Sequence, residues 1–173
     1  MTDLPPLSTH TLVAAAGEHY VLARLCLERY IAALAPRGVP TFDIVVTDMQ
    51  GDHLFAVQVK ARMKKGGDKG WPMNVKHEQI DSKNLFYFFV DFSSGVSAVP
   101  TIFIVPAATV ARTVRVCHEL WLKRLGKGGR AHKDSDMRKF RHDYSDYLGD
   151  DCPVEYRNGW LDPYREAWAS LPK

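Results

Sequence analysis

The chain has 173 residues, 46% of them hydrophobic and 25% charged, and it carries a net charge of +3. This composition is typical of one globular domain and excludes a disordered or fibrous chain. No apolar run approaches the roughly 18 to 20 residues of a membrane span, and residues 1–16 lack a secretory signal pattern. The three scattered cysteines suit neither a disulfide framework nor a zinc knuckle, so we expect a cytoplasmic protein without membrane contact.

Positive charge is concentrated in two parts of the chain. Residues 112–142 hold ten lysines and arginines against three acidic residues, whereas residues 143–173 are acidic overall. Such clustering favours a polyanionic partner, although a solvated basic face would have the same composition. The second basic group consists of Lys60, Arg62, Lys64, Lys65 and Lys69.

The first predicted element is a helix over Ala14–Leu34. It follows a loosely ordered lead-in, residues 1–11, and ends before a Pro-Arg-Gly stretch. Glu18 shares the apolar stripe of this helix with Leu22 and Leu25, which lie four and seven residues further on. Its carboxylate is either a helix-end anion favoured by the dipole or a functional group that faces inward.

The next predicted element is a hairpin with strands Phe42–Asp48 and His53–Arg62. A two-residue Gln-Gly tip fixes the register and places Asp43 opposite Gln58, with Lys60 one diagonal step away on the same face. The other side chains of that face are mostly apolar. We therefore interpret it as a covered face with a polar pocket at one end.

The rest of the chain completes one α/β domain, with a mixed central sheet flanked by helices. Residues 12–105 form the predicted core, and residues 106–173 are an extension of the same domain. The further elements predicted in chain order are a Gly/Lys-rich loop at 63–74, strands Leu85–Phe92 and Thr101–Val105, a helix Pro106–Leu122, a basic loop at 126–136, and short helices Met137–Tyr147 and Asp162–Leu171.

Glu18 on a helix, Asp43 on a strand and Gln58-Val59-Lys60 on the next strand form an ordered set, and Pro40 precedes Asp43. This pattern resembles the PD-(D/E)XK phosphodiesterase superfamily, which includes restriction endonucleases and Holliday-junction resolvases. The resemblance covers roughly residues 14–92. Gln58 departs from it, because the commoner family residue at that position is acidic.

The resemblance implies a nuclease that depends on Mg²⁺ or Mn²⁺ and acts on DNA in preference to RNA. It implies that Glu18, Asp43, Gln58 and Lys60 are catalytic, and that Asp43, Gln58, the Val59 carbonyl and Glu18 hold metal. Lys60 would steer the attacking water or stabilise the charged transition state. A homodimer is a reasonable expectation for such a fold.

Nucleic acid would be contacted by basic side chains and by one aromatic ring, that of Trp71, which lies in the predicted Lys/Gly loop and could stack on a base. Lys76 and its neighbour His77 could contact phosphate, or they could be the exposed first residues of a helix on the surface. The residues predicted to bind nucleic acid are Arg62, Lys64, Lys65, Lys69, Trp71, Lys76, Lys123, Arg124, Lys127 and Arg130.

Two other functions fit the same sequence. Because the amide of Gln58 carries no charge, the chain could be a binding module of the same fold that cleaves weakly or not at all. It could also be a protein-interaction component of a defence or toxin system, whose basic stretch meets an acidic protein. In either case Lys60 and Asp43 could be a buried ion pair that fixes the hairpin.

Overall fold

The computed structural model describes residues 9–36, 38–63, 69–95, 97–126 and 128–173. No helix in these ranges is long and apolar enough to cross a membrane. The helices and strands are α1 Thr9–Leu27, β1 Ile31–Leu34, β2 Ile44–Thr47, β3 Leu54–Arg62, β4 Gly70–Asn74, β5 Leu85–Asp91, β6 Thr101–Pro106, α2 Ala107–Lys123, β7 Met137–Arg141 and α3 Ser145–Leu148. Short 3-10 helices span Val75–Glu78, Gly149–Asp151, Val154–Tyr156, Asp162–Tyr164 and Trp168–Ser170.

Five strands form the main sheet in the order β1-β2-β3-β5-β6. The central pair β3 and β5 is parallel, and the other neighbours are antiparallel. The prediction of a mixed sheet flanked by helices is therefore confirmed. A separate antiparallel ribbon is formed by β4 and β7.

The two faces of the main sheet support two hydrophobic cores, because side chains alternate along each strand. On one face Val57 and Val59 of β3 pack with Val21 and Leu25 of α1. On the other face lie α2 and the β4–β7 ribbon, which share a second core with β5 and β6. Strand β5 is buried on both faces, as its nearly continuous apolar sequence predicts.

Helix α1 approaches β3 most closely at Gly17. A side chain at this position would collide with the Cβ of Ala61 and touch Val59. Glycine costs about 1 kcal/mol in a helix interior relative to alanine, so its presence here serves the packing. The contact fixes the position of the next residue, Glu18, relative to β3.

The hairpin has the predicted register, with Ile44 paired to Val57 and Val45 to Ala56. The ladder ends at Ile44, because the backbone N–H of Asp43 donates to the carbonyl of Val57 at 2.8 Å. The backbone of Asp43 therefore does not pair with Gln58 as continued register would require. Regular pairing between β2 and β3 ends at Ile44 and Val57.

The prediction of one helix over Ala14–Leu34 is wrong in its second half. Helix α1 begins within the predicted lead-in and ends at Leu27; Arg29 has a positive φ of 70°. The following strand, β1, pairs with β2 along its whole length. Its sequence Ile-Ala-Ala-Leu suits a helix equally well, so here strand pairing overrides local propensity.

The predictions for residues 63–74 and 137–147 also need correction. Part of the predicted loop is β4, and most of the predicted helix Met137–Tyr147 is β7, followed by the short α3. Arg138 and Phe140 are both buried, which is the period-two pattern of a strand. Similarly, the predicted helix Asp162–Leu171 is two short 3-10 helices, and Glu166 between them has a positive φ of 47°.

Candidate active site

A cleft of about 440 Å³ lies where β2 leaves the sheet. It is bounded by α1, by the segment after β1 and by the start of β2, and both Glu18 and Asp43 line it. The fold therefore brings together two carboxylates that are far apart in sequence, as the resemblance implied. Other lining residues include Thr11, His19, Val39 and Phe42.

The carboxylate of Asp43 is held by β3. Its Oδ2 accepts a hydrogen bond from the backbone N–H of Val59 at 2.6 Å, and another from Nε2 of Gln58. The Val59 N–H is available because β2 no longer pairs with β3 at this level. Since the N–H and C=O of a residue in an antiparallel strand point towards the same neighbour, the Val59 carbonyl lies at the same open edge.

The donor set fits a small divalent cation in its chemistry. Two carboxylates, an amide and a backbone carbonyl are the hard oxygen ligands that Mg²⁺ and Mn²⁺ prefer. In the observed orientation, however, Gln58 presents its amide nitrogen to Asp43, so a half-turn of the amide is needed to present the oxygen. Among the described residues no group of three His, Cys, Asp or Glu side chains could hold a metal, so the set has little negative charge.

Lys60 is the basic side chain nearest in sequence to the proposed ligands Gln58 and Val59. Burial lowers its pKa from the ordinary value, and the positive charge of Lys76 acts in the same direction. The negative charges of Asp43 and Glu18 oppose this shift of the pKa. Helix α1, β2 and β3 therefore place their charged side chains within electrostatic reach of one another.

A neutral hydrogen-bonded pair lies beneath these residues. Tyr87 is fully buried, faces Gln58 in the β3–β5 pairing, and its hydroxyl lies 2.7 Å from Nδ1 of His77. Burial and the charge of Asp43 raise the pKa of Tyr87, while burial and the charges of Lys60 and Lys76 lower the pKa of His77 to about 4. The sequence gives one hint of this pair, because a tyrosine in an apolar strand needs a polar partner for its hydroxyl.

Two residues predicted to bind nucleic acid have structural contacts instead. Trp71 is 0% exposed, and its Nε1 donates to the carbonyl of Val90 at 3.0 Å, so stacking of its ring on a base is excluded in this fold. Arg62 donates to Asp91 at 2.6 Å, and its guanidinium lies 4.6 Å from the ring centre of Trp71. Both side chains help to attach the β4–β7 ribbon to the main sheet.

The other basic residues are spread over different parts of the surface. Lys69 forms an ion pair with Asp146, and Arg124 donates to the carbonyl of Tyr147. Lys76 is exposed and lies beside the cleft, whereas Lys123 and Arg130 are exposed near the end of α2. Lys64, Lys65 and Lys127 lie outside the described residues.

No protein-family model and no curated protein matches this chain. Solved structures do match it, and two of them are nucleases. A bacterial homing endonuclease, I-Ssp6803I, is 13% identical over 94% of this chain and 91% of its own, with a TM-score of 0.50. The Holliday junction resolvase Hjc of Archaeoglobus fulgidus is 15% identical over 92% of this chain and 98% of its own, with a TM-score of 0.42.

The chain has a restriction-endonuclease-like fold. The likeness to the homing endonuclease carries this conclusion, and at such low identity it concerns the fold alone. The function must be argued from the residues of the cleft.

Proposed function

We propose that this protein is a metal-dependent nuclease whose active site is the cleft between α1 and the segment that leads from β1 into β2. The observation that carries the proposal is that Glu18 and Asp43 line one cleft, while Lys60 on β3 lies close enough for its charge to interact with both carboxylates. Structural ion pairs also bring charges together, but they do not require an open cleft beside them. The fold shared with a homing endonuclease supports the same assignment.

In this proposal the chain supplies ligands and charge. Asp43 and Glu18 would hold Mg²⁺ or Mn²⁺ together with the Gln58 amide oxygen and the Val59 carbonyl. A cation bound there supplies Lewis-acid activation and neutralises charge on the phosphate. Lys60 would donate a hydrogen bond to the phosphate oxygen on which negative charge develops, in a partly desolvated site where that interaction is strengthened.

The proposed substrate is DNA in preference to RNA. Basic side chains outside the cleft would contribute affinity that does not depend on sequence, through phosphate contacts. A homodimer remains part of the proposal, since two copies would present two clefts to a duplex.

The test compares cleavage of linear duplex, single-stranded and branched DNA and of RNA, with Mg²⁺, with Mn²⁺ and with a chelator. We expect cleavage by the wild type only with metal, and a loss of about 100-fold or more in Asp43→Asn and in Lys60→Met, because each removes transition-state stabilisation. Asp81→Asn and Lys83→Met are matched controls, since both side chains are exposed in the turn before β5.

Cleavage at the wild-type rate in both site variants would disprove the assignment, as would cleavage that persists in the chelator. Circular dichroism of each variant excludes loss of the fold as the cause of a lost activity.

One observation favours a second candidate, a nucleic-acid-binding module without cleavage. The amide of Gln58 already satisfies Asp43, so the site is stable without a cation. This candidate predicts salt-sensitive binding of nucleic acid and no effect of added metal on it.

A further inference from the structure

Lys76 lies at the edge of the cleft, although it follows β3 by more than a dozen residues. Its side chain is exposed, and its Nζ donates to the carbonyl of Pro40 at 2.7 Å. Pro40 belongs to the segment that leads into Asp43, and Val39 and Phe42 on either side of it line the cleft. A primary ammonium group is thus held against the wall of the proposed active site.

The short helix that carries Lys76 is anchored on both sides of it. The side chain of Asn74 accepts a hydrogen bond from the backbone N–H of Lys76 at 3.1 Å. His77 is buried against Tyr87, and Glu78 forms an ion pair with Arg138, whose side chain is only 5% exposed. The backbone around Lys76 is therefore fixed, and its exposed side chain has a defined place beside Pro40.

The charge of Lys76 reaches the interior of the site. It contributes to the lowered pKa values of both Lys60 and His77. The ammonium group of Lys76, held by Pro40 at the edge of the cleft, therefore adds a positive charge that would attract an anionic ligand.

We propose that Lys76 contacts a backbone phosphate of the substrate next to the phosphate that is cleaved. The inference rests on the proposed function, because it assigns substrate binding to the same cleft. An ammonium has three donors, so Lys76 can keep its hydrogen bond to Pro40 and still donate to a phosphate oxygen. Its role is substrate binding, whereas Lys60 acts at the reacting phosphate.

Three substitutions separate charge from the hydrogen bond to Pro40. Lys76→Met removes both, Lys76→Gln keeps a donor without charge, and Lys76→Arg keeps charge and donors. The control is Lys83→Met, which removes an exposed lysine of the neighbouring turn. Affinity for a fluorescent DNA duplex is measured by anisotropy in a chelator between low and moderate salt, and kcat and KM are measured separately with metal.

We expect Lys76→Met and Lys76→Gln to bind about tenfold more weakly at low salt, the effect of one charge-assisted hydrogen bond. The slope of log affinity against log salt should fall by about one in both variants, with KM raised and kcat little changed. Lys76→Arg should bind as the wild type does, and Lys83→Met should leave both quantities unchanged.

Wild-type affinity and salt slope in Lys76→Met would overturn the inference. So would a defect in Lys76→Met that Lys76→Gln does not share, because the lysine would then act only through Pro40. If the wild type binds DNA without cleaving it, the nuclease assignment is refuted. The DNA affinities of the Lys76 variants then still decide whether Lys76 contacts the substrate. Absence of any binding by the wild type would overturn both.

Discussion

Gln58 is the residue on which the chemistry of the site depends most directly. Its amide donates to Asp43 where a second carboxylate would repel it. A neutral amide lowers the negative charge that attracts a cation, but it also removes the repulsion that a metal-free pair of carboxylates would suffer. Under the proposed function, Gln58 would therefore weaken the binding of a metal ion and stabilise the site when no metal is bound.

Replacement of Gln58 by glutamate should reverse this balance. We expect Mn²⁺ to bind Gln58→Glu at least about tenfold more tightly than the wild type, because a charge is added close to the cation. Isothermal titration calorimetry measures the change, and Gln79→Glu, an exposed substitution nearby in the fold, is the control. Absence of Mn²⁺ binding in both proteins would contradict the ligand set.

At this scale the sequence predicts some residues well and others not at all. The hairpin pattern predicts that Asp43 and Gln58 lie side by side, and in the structure the Gln58 amide donates to Asp43. The burial of Trp71 is not local, because it depends on Phe140 in β7, its partner across the ribbon. Lysines and glycines before Trp71 suggest a loop, and nothing in that stretch reveals the distant strand.

Among the elements, α1 is packed against β3 so closely at Gly17 that only glycine fits there without a shift of the neighbouring residue. The close approach brings Glu18 to the edge of the cleft that Asp43 also lines. A glycine inside a helical sequence pattern is the signal that could have predicted this contact. Strand β1 gave no such signal, and only its pairing with β2 distinguishes it from a helix end.

A double-mutant cycle tests the contact between α1 and β3. Gly17→Ala should lower the free energy of unfolding by about 1 to 3 kcal/mol through overpacking, despite its better helix propensity. Ala61→Gly removes the opposing Cβ, so the double variant should recover at least about 1 kcal/mol relative to the sum of the single effects. Chemical denaturation measures each term, and strictly additive effects would show that the two residues do not touch.

At the scale of the molecule, the described residues form a five-stranded sheet with a core on each face and a separate two-stranded ribbon. The core on the α2 face joins residues from distant parts of the chain. Phe140 and Leu161 from the C-terminal part pack with Trp71 and Phe89 from the first part. The order of predicted strands and helices was enough to predict the α/β class. It was not enough to predict the ribbon, since pairing between β4 and β7 spans a long stretch of sequence.

Trp71 connects these parts, and its removal should weaken the fold as a whole. We expect Trp71→Ala to lower the free energy of unfolding by about 3 to 5 kcal/mol, the usual effect of deleting a fully buried large side chain. Trp71→Phe should lose less, because much of the contact with Phe89 and Phe103 remains. Urea unfolding followed by circular dichroism measures both variants, and a loss below about 1 kcal/mol in Trp71→Ala would contradict this packing.

The early departure of β2 from the ladder has a consequence for how the cleft could change over time. The opening beside Val59 exposes the main-chain N–H and C=O of that residue, which every residue except proline would supply. Substitutions of the side chains around this opening would change its charge and leave the backbone opening in place. If the cleft is catalytic as proposed, such substitutions would change the activity without a change in the fold.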